Sequence, residues 1–256
     1  MKRRWPLITT IAVLTVALAF VGVQLVRGQN SGKEETGAKP AASSPSDGAD
    51  SLQGLGWWPL HQSGTAKAGE HDAAVSGATR WTEGPEGGAL KLDGTGGFAD
   101  TNTRLDTGGK DYSVAARVRL DSQGMTGVHT ALSQEGDRFS VFFLQYSGPD
   151  GNFAFSFPGA RTVADTPEEP KPDRWYHLTG TYSQKDHRMR VYVDGKLAGT
   201  RVASSSVKPT GAVVVGRGKF NGKAADPWHG DIADVHVYDR ELTSRQVGSL
   251  SSHEPG

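Results

Sequence analysis

The feature that most constrains the fold is a series of short segments in which apolar and polar residues alternate. In Tyr112–Leu120 (YSVAARVRL) every second residue is apolar, which is the period of a strand with one buried face. Clusters of Gly, Pro, Asp and Ser separate such segments at regular intervals, as in β-sandwiches and jelly rolls. The pattern therefore predicts an all-β domain. Eight further strands are predicted at Ala89–Leu92, Arg138–Tyr146, Asn152–Phe157, Trp175–Tyr182, Met189–Val193, Lys196–Val202, Ala212–Gly216 and Asp231–Tyr238.

Two local motifs indicate how strands are connected and how the domain ends. Asp194–Gly195 lies between two predicted strands, and an Asp-Gly pair supplies the positive φ angles of a type I′ hairpin turn. We therefore interpret Asp194 as a hairpin corner and not as a catalytic carboxylate. The segment Thr243–Gln246 has the form of a capping box, which predicts that a short helical turn follows.

Charge and cysteine content exclude several classes of function. The chain has 28 basic and 28 acidic residues, whereas a nucleic-acid-binding protein normally presents a basic face or tail. It has no cysteine, which excludes disulfides, thiolate zinc sites and a cysteine nucleophile. We therefore predict no nucleic-acid partner and no thiol chemistry.

An uncharged apolar run near the N-terminus predicts a membrane segment. Residues 1–6 contain a basic cluster, and residues 7–26 carry no charge. At about 1.5 Å per residue, a helix of this length spans a hydrocarbon core of about 30 Å. The basic tail is expected to stay in the cytoplasm. Residues 27–51 are small and polar, which predicts a flexible linker, so residues 52–256 would form the folded domain on the other side.

The same run allows a second interpretation, a signal peptide that is cleaved. The segment Ala17–Ala19 offers a small-x-small cleavage site, but cleavage there would leave the apolar Phe20–Val26 at the new N-terminus. We favour a single-pass anchor in the cell membrane, with secretion after cleavage as the alternative. Both interpretations place the domain outside the cytoplasm.

Seven motifs in a fixed order make the sequence similar to a known family. It resembles the laminin-G-like, concanavalin A-like jelly-roll family over roughly residues 55–250. The resemblance implies a jelly-roll β-sandwich of two curved antiparallel sheets, used widely for carbohydrate or protein recognition. The motifs are GALKLDG at 88–94 after Trp81, YSVAARV at 112–118, WYHLTGTY at 175–182, VYVDGK at 191–196, Val215–Gly216, GDIADV at 230–235 and YDRELT at 238–243.

The acidic residues give no sign of a glycosidase. Enzymes of this fold place two carboxylates close together, one as nucleophile or base and one as acid, and the usual E-x-D-x-x-E spacing does not occur. Glu168–Glu169 lies in a proline-flanked segment, where a solvated turn is the simpler interpretation. Motifs of zinc proteases, serine hydrolases and P-loops are also missing from the sequence. We predict that the chain is not an enzyme.

Calcium is the one cofactor that the resemblance implies, because many members of the family bind it at the rim of the sandwich. Calcium takes six to eight oxygen ligands, which sequence-distant loops can supply. The corresponding carboxylates are Asp72 early in the domain and Asp231 or Asp234 in the last strand. Ala233 stands where the family commonly has an acidic residue, so one oxygen is missing. The alternative is that Asp72 caps a turn and Asp234 makes a structural contact.

Aromatic residues offer a platform for a sugar, because sugar C–H faces stack on exposed rings while hydroxyls take polar partners. For each of them, packing in the core is the competing interpretation, and Trp228, beside Pro227 in a predicted loop, is the least core-like. The predicted ligand-binding residues are Trp57, Trp58 and Trp228 in loops, with Tyr146, Gln145 and Arg138 on a strand of the concave face.

Together these observations predict a non-enzymatic recognition module on the outer face of a bacterial cell. It would bind a glycan or an envelope protein and be tethered by the N-terminal helix. The first alternative is a structural or accessory domain of an envelope complex with no small ligand. A glycan-acting enzyme with an unrecognised site is the second alternative, and the less favoured one.

Overall fold

A computed structural model describes residues 52–85 and 87–252. The predicted basic tail, membrane segment and linker, at residues 1–6, 7–26 and 27–51, lie outside these residues. Within the described ranges, no helix combines the length and the apolar character needed to cross a membrane.

Two antiparallel sheets make up the domain, as the alternation predicts. The first has eight strands in the spatial order β13-β12-β11-β6-β17-β4-β3, with β1 paired to β17 as well. Its strands are β1 Gly56–Trp58, β3 Thr79–Thr82, β4 Ala89–Asp93, β6 Tyr112–Leu120, β11 Trp175–Ser183, β12 Arg188–Val193, β13 Lys196–Val202 and β17 His229–Tyr238.

The second sheet has seven strands in the order β10-β9-β8-β7-β14-β5-β2. Outside the two sheets, a short hairpin consists of β15 Gly218–Phe220 and β16 Lys223–Ala225. The remaining described elements are one helix, α1 Ser244–Ser252, and two short 3₁₀ turns, Gln123–Met125 and Gly148–Asp150. The strands of the second sheet are β2 Ala74–Ser76, β5 Phe98–Asp100, β7 Val128–Gly136, β8 Phe143–Ser147, β9 Asn152–Phe157, β10 Ala160–Val163 and β14 Pro209–Val215.

The hydrophobic core lies between the two sheets. On β6 the alternate residues Val114, Ala116 and Val118 are fully buried and face side chains such as Leu144 and Phe155 of the second sheet. The intervening residues of β6 point to the outer face of the first sheet. There α1 covers part of the sheet through Val247 and Leu250, which form a second, smaller cluster with Ala115, Tyr192, Tyr238 and Leu242.

Both local motifs have the predicted structure. Asp194 and Gly195 have φ angles of 48° and 75°, as a type I′ turn requires, and Asp194 Oδ1 accepts a hydrogen bond from the His177 backbone N–H at 2.9 Å. The backbone N–H of Thr243 donates to Gln246 Oε1, and the N–H of Gln246 donates to Thr243 Oγ1. This reciprocal pair is the capping box at the start of α1.

The strand prediction is incomplete: the short strands β1, β2, β3, β5, β10, β15 and β16 were not predicted. It is also wrong in one longer region of the second sheet. Strand β8 begins at Phe143 and not at Arg138, and β7, which lies between β8 and β14, was not predicted. The pairing of β7 with β8 shifts register between Thr130 and Leu132, so its apolar residues do not alternate regularly. Buried polar residues on the same strand, Ser133 and Gln134, weaken the pattern further.

Close approach of the two sheets at Gly180 on β11 yields a stability prediction. A Cβ atom at this position would lie 2.6–2.9 Å from the Phe155 ring, so Gly180→Ala should overpack the core. We expect it to lower the free energy of unfolding by about 1–3 kcal/mol, measured by urea denaturation.

The matched control is Gly248→Ala in α1, where an added Cβ meets no atom within 4 Å. Alanine is the better helix former, so this change should raise stability by roughly 0.5–1 kcal/mol. Equal effects of the two substitutions would contradict the close approach of the sheets at Gly180.

Candidate functional site

The outer face of the second sheet carries an open cavity of about 420 Å³. It spans the strands from β7 to β10, where alternate residues point away from the core. The side chains that matter for its chemistry are Phe143, Gln145, Ser156, Arg161, Arg201, Phe220 and Asp226. Pockets of this size that combine apolar walls with a few polar groups are typical of small-ligand sites.

The β15–β16 hairpin forms one rim of this cavity. Lys219 O accepts a hydrogen bond from the Ser140 N–H at 2.9 Å, and Asp226 O accepts one from the Thr130 N–H at 2.8 Å, so both ends of the hairpin are fixed to the second sheet. Phe220 is 54% exposed, and its ring makes an edge contact with Phe139 at 5.1 Å between centroids. The hairpin therefore holds an exposed aromatic ring at the cavity.

Two polar side chains in the cavity lack partners within the described part of the chain. Gln145 is 2% exposed, and its Nε2 has no hydrogen-bond acceptor there. The Asp226 carboxylate lines the cavity without a hydrogen bond or ion pair in the same residues. Burial raises the pKa of Asp226, although His129 and Arg161 act against that rise. Buried polar groups are normally satisfied, so a water or a ligand hydroxyl is the expected partner.

Two arginines line the end of the cavity near β10, the edge strand of the second sheet, away from the β15–β16 hairpin. Arg161 donates from Nε to Ser156 Oγ at 3.3 Å and from Nη1 to Asp150 Oδ2 at 2.8 Å. Arg201, on the edge strand β13 of the first sheet, is exposed and donates from Nη1 to Arg161 O at 3.0 Å. The charge of Arg161 is thus balanced by Asp150, whereas no carboxylate within the described ranges pairs with Arg201.

Among the predicted sugar-binding residues, only Gln145 lines this cavity. Tyr146, its neighbour on β8, points to the opposite face and packs in the core against Phe153 at 5.8 Å between ring centroids. Trp58 and Trp228 are fully buried in the same core. Their prediction as exposed platforms is wrong, because the sandwich interior takes up these large apolar rings.

The two remaining residues of that prediction lie outside the cavity. Arg138 is exposed in the turn before β8, with its guanidinium 5.9 Å from the centroid of the Phe139 ring. Trp57 belongs to the first sheet, where it stacks on His236 at 5.4 Å and donates from Nε1 to Asp234 at 2.8 Å. The six predicted residues therefore do not form one site.

The sequence did not predict six of the seven side chains named for the cavity, namely Phe143, Ser156, Arg161, Arg201, Phe220 and Asp226. Phe220 precedes the β15–β16 turn and Asp226 follows β16; the turn residues Asn221 and Gly222 have φ angles of 51° and 78°. An Asn-Gly pair next to an otherwise exposed aromatic residue is the signal that would have indicated this hairpin. Arg161 and Arg201 gave no such signal, because they come from edge strands of different sheets.

The three predicted calcium ligands do not meet at one point. Asp231 is 1% exposed and is surrounded by donors: it pairs with Lys91 at 3.3 Å and Arg119 at 3.0 Å. Asp72 accepts a hydrogen bond from the Ala66 N–H at 2.9 Å, six residues earlier, and so bridges the loop between them. Residues 52–85 and 87–252 contain no group of three or more His, Asp or Glu that could hold a metal ion. Calcium binding itself stays a prediction.

Asp234, the third of these carboxylates, is the centre of a buried polar cluster on the outer face of the first sheet. It lies at a register shift of β17 with φ 50°, and its Oδ1 accepts hydrogen bonds from Trp57 and from His236 Nε2, both at 2.8 Å. Burial raises the pKa of Asp234, but the bonds from His236 and Trp57 outweigh burial and hold the pKa below its usual value. This is a structural role.

His177 lies beside this cluster and is 1% exposed, and both of its ring nitrogens lack a partner within the described residues. Burial, reinforced by the charge of Arg117, lowers the pKa of His177 to about 3. The unfolded chain therefore binds a proton at this position at a higher pH than the folded protein does. The free energy of unfolding should fall as the pH drops from about 6.5 toward 3.

We expect His177→Gln to remove this pH dependence. At pH 5 the wild type should have lost about 2 kcal/mol through this histidine, measured by denaturant unfolding at pH 7 and pH 5. His71→Gln is the control, because His71 is exposed, and it should keep the wild-type loss. An unchanged loss in His177→Gln would contradict the buried neutral imidazole.

Two antiparallel sheets packed face to face, with a cavity on the outer face of one, define a jelly-roll β-sandwich. The family model described as the Concanavalin A-like lectin/glucanases superfamily (Laminin_G_3) matches residues 93–248. The chain belongs to this superfamily, so the family predicted from the sequence motifs is confirmed.

Three known proteins are similar to parts of this chain. The neuronal pentraxin receptor of Homo sapiens is 31% identical over 99 residues, which cover 35% of this chain and 19% of the receptor. Domain 4 of AbnA, a GH43 extracellular arabinanase from Geobacillus stearothermophilus, in complex with arabinotriose, is 18% identical with a TM-score of 0.62, over 77% of this chain and 98% of that one. Trypanosoma rangeli sialidase in complex with sialic acid is 20% identical with a TM-score of 0.56, over 77% of this chain and 32% of the sialidase.

These similarities differ in what they show. The chain spans 19% of the receptor and 32% of the sialidase, so the activities of those whole proteins do not transfer to it. At 18–20% identity, the two solved structures show the fold alone. The fold is thus one that carbohydrate-binding domains and parts of carbohydrate-active enzymes share.

Proposed function

We propose that this protein is a non-enzymatic carbohydrate-recognition module and that the cavity on the outer face of the second sheet binds a short glycan segment. The observation that carries the proposal is the combination of an exposed ring, Phe220, with the unpartnered polar groups of Gln145 and Asp226 in one cavity. Gln145 Nε2 is buried without an acceptor in the described residues, and the half-buried Asp226 carboxylate is open to the cavity, so both can accept a ligand hydroxyl as a partner.

The chemistry of this combination suits a sugar. The face of an aromatic ring packs on the C–H side of a pyranose or furanose, and a carboxylate accepts hydrogen bonds from hydroxyls. An amide donates and accepts at once, so Gln145 can bind a hydroxyl in either sense. The domain of the arabinanase was solved in complex with arabinotriose, which supports a carbohydrate ligand for this fold in general.

Binding without hydrolysis is the better match to the cavity. Glycosidases of either stereochemistry need two carboxyl groups on opposite sides of the bond that breaks. Among the described residues that line the cavity, Asp226 is the one carboxylate. We therefore propose recognition without cleavage, and incubation of bound glycans with the protein should release no shorter product.

Phe220→Ala should weaken glycan binding about 5- to 30-fold, because removing a stacked ring forfeits roughly 1–2 kcal/mol. The measurement is titration calorimetry of the full-length chain against arabinotriose and a panel of neutral and acidic oligosaccharides, with calcium and with a chelator. Leu197→Ala is the matched control, since Leu197 is 52% exposed on β13 and lies outside the cavity.

If Phe220→Ala binds the glycan as tightly as the wild type, or if Leu197→Ala loses as much affinity as Phe220→Ala, the glycan binds outside this cavity. If no oligosaccharide of the panel binds, the proposal fails. A loss of binding on chelation would support the calcium prediction, and binding without any calcium dependence would argue against it.

A protein ligand is the second candidate. Leu197 and Val202 on the edge strand β13 are 52% and 60% exposed, and exposed apolar side chains on a sheet edge are a common feature of protein contacts. If no oligosaccharide of the panel binds, we propose that this edge contacts an envelope protein. In that case Leu197→Ala, and not Phe220→Ala, should weaken the complex.

We also propose that the domain is displayed outside the cytoplasm of a bacterial cell and tethered through residues 7–26. The uncharged run and the basic residues before it support this orientation. Protease added to intact cells should therefore degrade the domain, while a cytoplasmic marker survives. Protection of the domain until the cells are lysed would contradict the orientation, and recovery in the medium would favour cleavage over anchoring.

A further inference from the structure

The charges that line the glycan cavity are unevenly balanced. Three charged side chains line it, namely Arg161, Arg201 and Asp226. The guanidinium of Arg161 pairs with Asp150 at 2.8 Å, whereas neither Arg201 nor Asp226 has an ion-pair partner in the part of the chain that the structure describes. A surplus of positive charge therefore lies at the Arg201 end of the cavity, apart from the Asp226 carboxylate.

These two free charges lie on different walls. Arg201 is on β13, next to Arg161 of the edge strand β10. Asp226 is held against β7 through its backbone, as Thr130 donates to its carbonyl oxygen. The strand order β10-β9-β8-β7 separates β10 from β7 by two strands. A ligand across the cavity thus meets a cation at one end and a carboxylate with an aromatic ring at the other.

We infer that the glycan bound here carries a carboxylate, as a uronic or sialic acid does, and that Arg201 binds it; this inference rests on the proposed function. One N–H of Arg201 is used on Arg161 O, and a guanidinium has five in a planar fork. The remaining donors match the two oxygens of a carboxylate. Among the described residues that line the cavity, Asp226 is the one carboxylate, and it lies on the other wall.

The orientation of the ligand follows from the second free charge. Asp226 repels a carboxylate and accepts hydrogen bonds from hydroxyls, so the acidic group lies at the Arg201 end and the hydroxyl-rich part lies over Phe220. A neutral sugar can use Phe220, Gln145 and Asp226 but leaves Arg201 without a charged partner. Charge-assisted hydrogen bonds are about twice as strong as neutral ones, so the acidic sugar should be preferred.

The test compares matched pairs of probes on the full-length chain by titration calorimetry. Trigalacturonic acid is compared with its methyl ester, and sialyllactose with lactose, so that the carboxylate is the main difference within a pair. We expect the acid of at least one pair to bind about tenfold more tightly or better than its neutral partner. The two pairs distinguish a uronic acid from a sialic acid as the source of the carboxylate.

Arg201→Gln should abolish the preference for the acid, because it should weaken binding of the acid about tenfold more than binding of the neutral partner. Arg201→Lys should restore part of the preference, because lysine keeps the charge without the planar fork. Arg80→Gln is the matched control, because Arg80 is an exposed arginine on β3, at the opposite edge of the first sheet from β13. Unchanged thermal unfolding in each variant shows that the fold is retained.

The outcomes separate this inference from the proposed function. If neutral and acidic partners bind equally, or if Arg201→Gln keeps the preference, the inference is overturned, while a loss of affinity in Phe220→Ala still supports a glycan site. If no probe binds, both fail. Weakening of acid binding by added salt, with neutral binding unaffected, would support a charge contact.

Discussion

Burial of one face of every strand between two sheets is the constraint on which the rest of the structure depends. On β6 this face consists of small and branched residues that are fully buried, and at Gly180 the sheets approach so closely that Phe155 leaves no room for a Cβ atom. Because one face of each sheet is committed to the core, function falls to the outer faces and the sheet edges. Each outer face carries a different feature: a buried polar cluster centred on Asp234 on the first sheet and an open cavity on the second.

The contrast between these two faces separates structure from function. Asp231 and Asp234 are buried, yet each is surrounded by cations and donors, so their charges are fully used within the domain. Asp226 and Gln145 have no such partners within the described residues. Unsatisfied buried groups also occur away from the cavity, at His177 and in the core at Tyr112 and Trp228, so such a group alone does not identify a site. The open cavity that brings Gln145 and Asp226 together with the exposed Phe220 ring, and not the mere presence of acidic residues, distinguishes the candidate site.

The sequence predicts elements whose pattern is local and regular. Tyr112–Leu120 and Asn152–Phe157 form strands with the predicted bounds, because their alternation is uninterrupted. Strand β7 was missed because a register shift interrupts its pattern. In the candidate site, Gln145 was predicted to bind the ligand and does line the cavity, whereas Tyr146, predicted for the same role, packs in the core. Alternation shows that neighbouring residues face opposite sides of a sheet, but it does not show which side is the core. Arg161 and Arg201 meet only after both sheets have formed, so no local signal exists for their contact.

The hydrogen bond from Arg201 to the carbonyl oxygen of Arg161 joins the edge of one sheet to the edge of the other. The cavity therefore crosses the seam of the sandwich, and its width depends on how the two sheets slide past each other. A core substitution that shifts this alignment would change ligand selectivity without altering any residue that touches the ligand. New specificities can thus arise in such a domain from its interior as well as from its surface.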